Sequence, residues 1–199
     1  AQIRSEIILN GCAGHAGTIP ASLRKDPLPV ASEMILAVNQ LCKSDESIRA
    51  TVGHLEVIPN ASNVIPGTVK FSIDMRYPDL KGLRRVHNKL SQEIKSIAKR
   101  SDLKFEYKLV HEASDAQLDQ RLTDILAESC EVMQGSSPRM FSGAGHDSMK
   151  LAQVCPTSML AVRCKDGLSH HPDEFASNAD CILAFKAMLR AVLRIDKIF

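Results

Sequence analysis

At 199 residues, the chain has room for one domain or two small ones, enough to bury about 70% of its unfolded surface. A formal net charge of +2 is close to balance, so the overall field predicts neither a nucleic acid nor a membrane surface as partner. With two tyrosines and no tryptophan there is little aromatic surface for stacking on bases, and no apolar run approaches the roughly 20 residues of a transmembrane helix.

The first residues, Ala1 to Ile8, lack the basic-then-apolar layout of a signal peptide. They also lack an initiator Met, and the expectation is a processed or truncated piece of something longer. Six cysteines are scattered without a C-x-x-C pair, which predicts reduced thiols in a cytoplasmic compartment rather than a disulfide framework or a zinc knuckle.

In chain order, Ile3–Leu9 is β-prone and ends at the Gly-rich turn G-C-A-G-H-A-G. Asp26-Pro27 reads as N-cap and first helical residue, because the missing N–H of Pro is an orphan there anyway. The helix that follows is apolar at Val30, Met34, Ile35, Val38 and Leu41. A strand over Thr51–Ile58 leads into the turn-rich loop P-N-A-S-N. Thr68–Met75 alternates through Val69, Phe71, Ile73 and Met75, and Asp79 starts a second helix, apolar at Leu83, Val86, Leu90, Ile94 and Ile97. A strand over Lys104–Val110 closes the unit. The order β-α-β-β-α-β predicts a ferredoxin-like antiparallel sheet with two helices on one face.

The second half predicts a helix over Gln117–Met133, a short strand over Arg139–Ser142 and a short helix over His146–Val154. An apolar strand over Thr157–Arg163 and a closing helix over Pro172–Phe199 complete it. Two short strands cannot cover three helices, so this half reads as part of a larger α/β domain. The expected division is 1–111 and 112–199.

The densest stretch runs from Ser142 to Glu174. A nucleophilic role for Ser142 is excluded, because F-S-G-A-G is not the G-x-S-x-G elbow. The G-A-G turn is too short for a dinucleotide or P-loop fingerprint, but it can act as a backbone cradle for a carboxylate or amide. His170 and His171 are neighbours and point to opposite faces of extended backbone, so the stretch offers one metal-facing His where a dedicated zinc site takes three or four ligands. Read singly, His15 and Asn63 are turn residues, and Arg76 is a strand-end charge.

Taken together, the motifs resemble a known family. They are A-Q-x-R at Ala1–Arg4, G-x-A-G-H-A-G-T-x-P at Gly11–Pro20, L-R-K-D at Leu23–Asp26 and P-N-A-x-N-V-I-P-G at Pro59–Gly67. D-x-R at Asp74–Arg76, S-G-A-G-H-D-S-M at Ser142–Met149 and D-G-x-S-H-x-P-x-E at Asp166–Glu174 complete the series. In this order they resemble the M20-type metal-dependent amidohydrolases, in the branch of N-carbamoyl-L-amino-acid hydrolases, β-ureidopropionases and allantoate or ureidoglycolate amidohydrolases.

The resemblance implies a lid and dimerisation domain followed by the C-terminal part of an α/β zinc-peptidase-like catalytic domain. It implies hydrolysis of linear amide or ureido C–N bonds with two divalent ions, Zn or Mn, of which this chain supplies one ligand, His170. By the same resemblance His15 steadies the oxyanion, Asn63 and Arg76 hold the substrate carboxylate, and the backbone at Gly145 lies against the substrate. The other metal ligands and the catalytic Glu of the family precede the lid and have no counterpart here, so the chain alone is expected to be inactive. The expected partners are a small carboxylate bearing a carbamoyl or ureido group and a second copy through the lid, with no nucleic acid and no membrane. An M20 peptidase or aminoacylase is the alternative within the family. A standalone ferredoxin-like binding or dimerisation module is the alternative outside it.

Overall fold

The computed structural model describes residues 1–198. The chain is a mixed α/β protein that divides into two compact units, Ala1–Asp115 and the residues from Ala116 onward.

The first unit is built on β1 (Gln2–Asn10), α1 (Pro27–Ser44), β3 (Arg49–Ile58), β5 (Thr68–Arg76), α2 (Leu80–Arg100) and β6 (Lys104–Ala113), with a two-residue ladder of β2 (Gly14–His15) and β4 (Val64–Ile65) beside them. The four long strands pair antiparallel in the order β3-β5-β1-β6. The central strands β1 and β5 alternate strictly: Ile3, Ile7, Leu9, Val69, Phe71, Ile73 and Met75 are buried on one face, as the period of two requires. The other face carries Gln2, Arg4, Glu6, Lys70, Ser72 and Asp74, with a Lys70–Glu6 ion pair at 2.8 Å.

Both helices start where their caps put them. The Asp26 carboxylate accepts from the Leu28 amide at 3.0 Å with Pro27 in the first turn, and the Asp79 carboxylate accepts from the Gly82 amide at 2.7 Å. Each cap satisfies an otherwise orphaned N–H, worth about 1 kcal/mol. The helices close the core with Met34, Val38, Leu41, Leu83, Leu90 and Ile94. The edge strands begin earlier or end later than apolar alternation predicts. β3 starts at Arg49 and β6 runs on to Ala113, paired with Gln2, because ladder hydrogen bonds continue past the area the helices cover.

One polar cluster sits within this core. The His87 Nε2 lies 3.0 Å from the Tyr107 hydroxyl and 3.3 Å from that of Ser5. Burial lowers the pKa of His87, against raising contributions from Asn88 and Glu112, with Lys95 adding to the lowering. The folded state therefore holds the neutral ring, and the unfolded state takes up the proton first as pH falls. Stability is full above the unfolded value of about 6.5 and is lost as pH drops below it toward the folded value. Tm measured from pH 7.5 down to 5 is expected to fall more steeply for wild type than for His87→Gln, and parallel curves would contradict the assignment.

The second unit consists of α3 (Gln120–Gln134), α4 (Ser148–Leu151) and α5 (Asn178–Ile195). Asp119 and Ser177 cap α3 and α5, and α3 ends at Gly135, whose φ of 78° suits a residue without a Cβ. Ile125, Leu126 and Ala191 form its small core, with Leu160 and Ile195 against it.

Three expectations are corrected here. Among the described residues this unit contains no strand: Arg139–Ser142 and Thr157–Arg163 form no ladder, because apolar chain becomes a strand only beside a hydrogen-bonded neighbour. The helix expected from His146 shrinks to Ser148–Leu151. The closing helix starts at the Ser177 cap instead of Pro172, and its expected last residue, Phe199, lies outside the described residues. α5 leaves Ile182, Phe185, Leu189, Val192 and Leu193 about half exposed or more, an apolar face of the kind a sheet usually covers. No helix among the described residues is long and apolar enough to cross a membrane.

Candidate active site

His15 and Asn63 meet through backbone. In the small ladder Gly14 lies opposite Ile65 and His15 opposite Val64, and the Ala16 amide donates to the Asn63 carbonyl at 2.9 Å. Both side chains are exposed. The turn before them requires glycine at position 11: a Cβ there would lie 1.9 Å from the Lys25 carbonyl oxygen, which accepts from the Cys12 amide. Arg24 then fastens the far side of the loop, donating to the carbonyls of Ala16 at 2.6 Å and Ile19 at 2.9 Å.

The His15 ring is held in one orientation. Its Nδ1 accepts from the Gly17 amide at 3.1 Å. A ring nitrogen that accepts carries no proton, so the neutral imidazole keeps its N–H on Nε2. The ring therefore presents a hydrogen-bond donor to whatever lies outside the loop, the capability needed to meet a developing oxyanion.

Arg76 lies at the other end of β5. The strand runs from Thr68 to Arg76, and eight steps of about 3.4 Å put its ends about 27 Å apart. Asn63 precedes the Thr68 end, so it and Arg76 lie off opposite ends of this strand. Around Arg76 there is an open depression of about 800 Å³, lined by Arg4, Arg49 and Asp74 together with Cys42, Ile48 and Ile73 among others.

Asp74 is a contact that single-motif reading missed. Its Oδ1 accepts from Arg76 Nε at 2.9 Å. Its Oδ2 accepts from Gln2 at 2.6 Å, Arg4 at 3.0 Å and Arg76 Nη2 at 3.3 Å. Burial pushes the Asp74 pKa up, but the hydrogen bonds from Arg76, Gln2 and Arg4 outweigh it, and the net shift is downward. The signal was present in the period-two spacing of Gln2 with Arg4 and of Asp74 with Arg76, which puts all four on one face.

In the second unit, Gly145 lies in the exposed turn ahead of α4, and a Cβ built on it meets nothing within 4 Å. The turn is tied by the Ser142 hydroxyl, 3.3 Å from both the Ala144 amide and His146 Nε2. His170 is exposed with φ 59°, a left-handed conformation uncommon outside glycine. Its amide donates to Glu174 Oε2 at 3.1 Å, and the neighbouring His171 accepts from the Asp173 amide at 3.1 Å. Among the described residues no three His, Cys, Asp or Glu side chains converge as a metal site. A dedicated zinc site takes three or four ligands, and the described residues do not bring that many together.

Residues 11–194 match the description of peptidase family M20/M25/M40. The chain is 35% identical over 191 residues to an N-carbamoyl-L-amino-acid amidohydrolase of Pseudomonas sp. (strain NS671), covering 95% of this chain and 46% of that protein. It is 34% identical to an allantoate deiminase of Arabidopsis thaliana, covering 94% and 41%. A solved hydantoinase/carbamoylase-family amidase from Burkholderia multivorans superposes with a TM-score of 0.90 at 35% identity, over 97% of this chain and 47% of that one. The chain thus spans less than half the length of each of these relatives.

Proposed function

The chain belongs to peptidase family M20/M25/M40, and on that footing we propose that it forms part of a hydrolase of linear amide or ureido C–N bonds. The substrates proposed are an N-carbamoyl amino acid, allantoate or ureidoglycolate, in line with the names its relatives carry. The first unit, with its ferredoxin-like strand order, serves as lid and dimerisation domain, and the second completes a catalytic domain whose remainder covers the apolar face of α5.

The observation that carries this reading is the joined placement of His15 and Asn63, with the imidazole N–H directed outward from Nε2. Hydrolysis of an amide passes through a tetrahedral oxyanion, and a positioned donor at that oxygen is worth about 2.7–4 kcal/mol of barrier. Arg76 binds the substrate carboxylate through two parallel N–H donors. The backbone at Gly145 lies beside the bound amide. His170 contributes one ligand toward a divalent metal pair, zinc or manganese, whose remaining ligands come from outside this chain.

In this reading the labour is divided between two copies. The ends of β5 lie about 27 Å apart, farther than a small carboxylate can bridge, with Asn63 ahead of the Thr68 end and Arg76 closing the other. A single substrate therefore meets Arg76 of one copy and His15 with Asn63 of another, and the lid dimer is part of the site.

The test is ammonia release from N-carbamoyl-L-amino acids and allantoate, with Zn²⁺ or Mn²⁺ supplied. The natural gene product is expected to release it, and the isolated 199-residue chain is not. Turnover by the isolated chain would sink the incomplete-site reading. A gene product that cleaves dipeptides or N-acetyl amino acids but no carbamoyl or ureido compound would move the assignment to the peptidase or aminoacylase side of the family.

A further inference from the structure

Arg24, of the L-R-K-D motif, follows the His15 turn in the chain and folds back to hold it. Its Nη2 donates to the Ala16 carbonyl at 2.6 Å and its Nε to the Ile19 carbonyl at 2.9 Å. The first of these carbonyls belongs to the Ala16–Gly17 peptide, and the N–H of that same peptide donates to His15 Nδ1 at 3.1 Å. A trans peptide is planar, with its C=O and N–H on opposite sides. Pinning the oxygen toward Arg24 therefore aims the N–H at the ring. The preceding peptide is held as well, because the Ala16 amide donates to the Asn63 carbonyl at 2.9 Å.

We propose that Arg24 is a positioning residue for His15: through the Ala16–Gly17 peptide it keeps Nδ1 an acceptor and the ring N–H on Nε2. The proposal rests on the reading of His15 as the oxyanion donor. Two effects run in the same direction. A guanidinium that bridges two carbonyls of one turn fixes it at two points, where a lysine ammonium is a single movable point. A cationic donor on the C=O also polarises the peptide and strengthens the hydrogen bond its N–H makes. Gly17 lets the ring close on that N–H. A Cβ there would lie 3.2 Å from His15 Cε1 and 3.4 Å from Nδ1, near enough to push the ring aside.

A purely electrostatic role gives a different pattern on mutation. If Arg24 were only a nearby cation favouring the oxyanion, its removal would slow turnover and leave the ring as it was. Positioning requires that both change. The ring itself decides between the two.

The experiment has two arms. In the full 199-residue chain, ¹⁵N-labelled, histidine ring resonances at about pH 8, where imidazole is neutral, report which nitrogen carries the proton. Wild type is expected to show His15 with its proton on Nε2. Arg24→Ala is expected to move these resonances toward the exchanging mixture of a free imidazole, and to speed Gly17 amide exchange about tenfold. In the natural gene product, Arg24→Ala is expected to lower kcat for an N-carbamoyl amino acid about tenfold, with KM changed less than about twofold. Gly17→Ala displaces the ring from the other side and is expected to give a similar kcat loss. Both changes act on one contact, so the double variant is expected to lose no more than the larger single loss. Amide spectra over the buried strand residues Ile73 and Met75 check that the variants stay folded.

An unchanged His15 ring spectrum in Arg24→Ala overturns the positioning role while leaving the oxyanion reading intact. Multiplied losses in the double variant overturn it as well, and so does a displaced ring with wild-type kcat. His15→Ala in the natural gene product is the separate control. If it turns over as wild type does, the oxyanion reading fails whatever the ring spectra show, and the positioning role fails with it.

Discussion

Replacing Phe71 with alanine is expected to destabilise the first unit by about 3–5 kcal/mol, the range for deleting a fully buried aromatic side chain. Phe71 is completely buried and lies at the centre of the sheet, opposite Ile7 on β1 and Leu55 on β3. Against a typical domain stability of about 5–15 kcal/mol, that loss leaves the unit marginal at 37 °C. Both tyrosines of the chain, Tyr77 and Tyr107, belong to the first unit, and there is no tryptophan. Tyrosine fluorescence in a urea titration therefore follows this unit without interference from the second. Phe185→Ala is the informative contrast. Phe185 on α5 is 67% exposed, and its truncation is expected to change the isolated chain by about 0.5 kcal/mol or less. A Phe71→Ala midpoint within experimental error of wild type would contradict the packing described for β5.

The contrast between these two phenylalanines also marks how far the sequence could be read. In the first unit, local and global signals agree. Strict alternation in β1 and β5, an Asp-Pro cap at α1 and an Asp cap at α2 each point to the element that forms, and the helical apolar faces match the sheet face they cover. In the second unit the apolar pattern of Thr157–Arg163 is that of a strand, but pattern alone does not supply a ladder. Phe185 and Leu189 likewise read as core on a helix whose apolar face is largely exposed among the described residues. Periodicity reports what a segment could bury, and the partner decides whether it does.

The proposed site residues were legible to a different depth. Residue types were readable because each lies in a motif at a turn or strand end: His15 among glycines, Asn63 closing P-N-A-S-N, and Arg76 after the alternating strand. Their spacing in the fold was not, since thirteen positions between Asn63 and Arg76 look like proximity. Nine of the residues in that interval belong to β5, and an extended strand converts short sequence separation into distance. The same arithmetic applied to Gln2, Arg4, Asp74 and Arg76 would have found the cluster at the other end, because antiparallel pairing brings the start of β1 to the end of β5.

That separation leads to the functional prediction with the largest effect. In the natural gene product, His15→Ala and Arg76→Ala are each expected to lower kcat/KM for an N-carbamoyl amino acid by about 100-fold or more, the usual result of removing an oxyanion donor or a charged ligand contact. Mixing the two inactive variants is then expected to restore activity. In a dimer with one copy of each, one site combines both losses, and the other has Arg76 from the His15→Ala copy and His15 from the Arg76→Ala copy. With random pairing half the dimers are mixed, each with one intact site of two, so the mixture recovers about a quarter of wild-type activity. Asn63→Ala is expected to complement Arg76→Ala in the same way, and to fail with His15→Ala, because those two residues share one end of the sheet. Co-expression with two affinity tags isolates the mixed dimer and checks the pairing directly. A purified mixed dimer of His15→Ala with Arg76→Ala that stays as inactive as its parents would place both residues at one site in the same copy, which the length of β5 does not allow without a different arrangement of the lid.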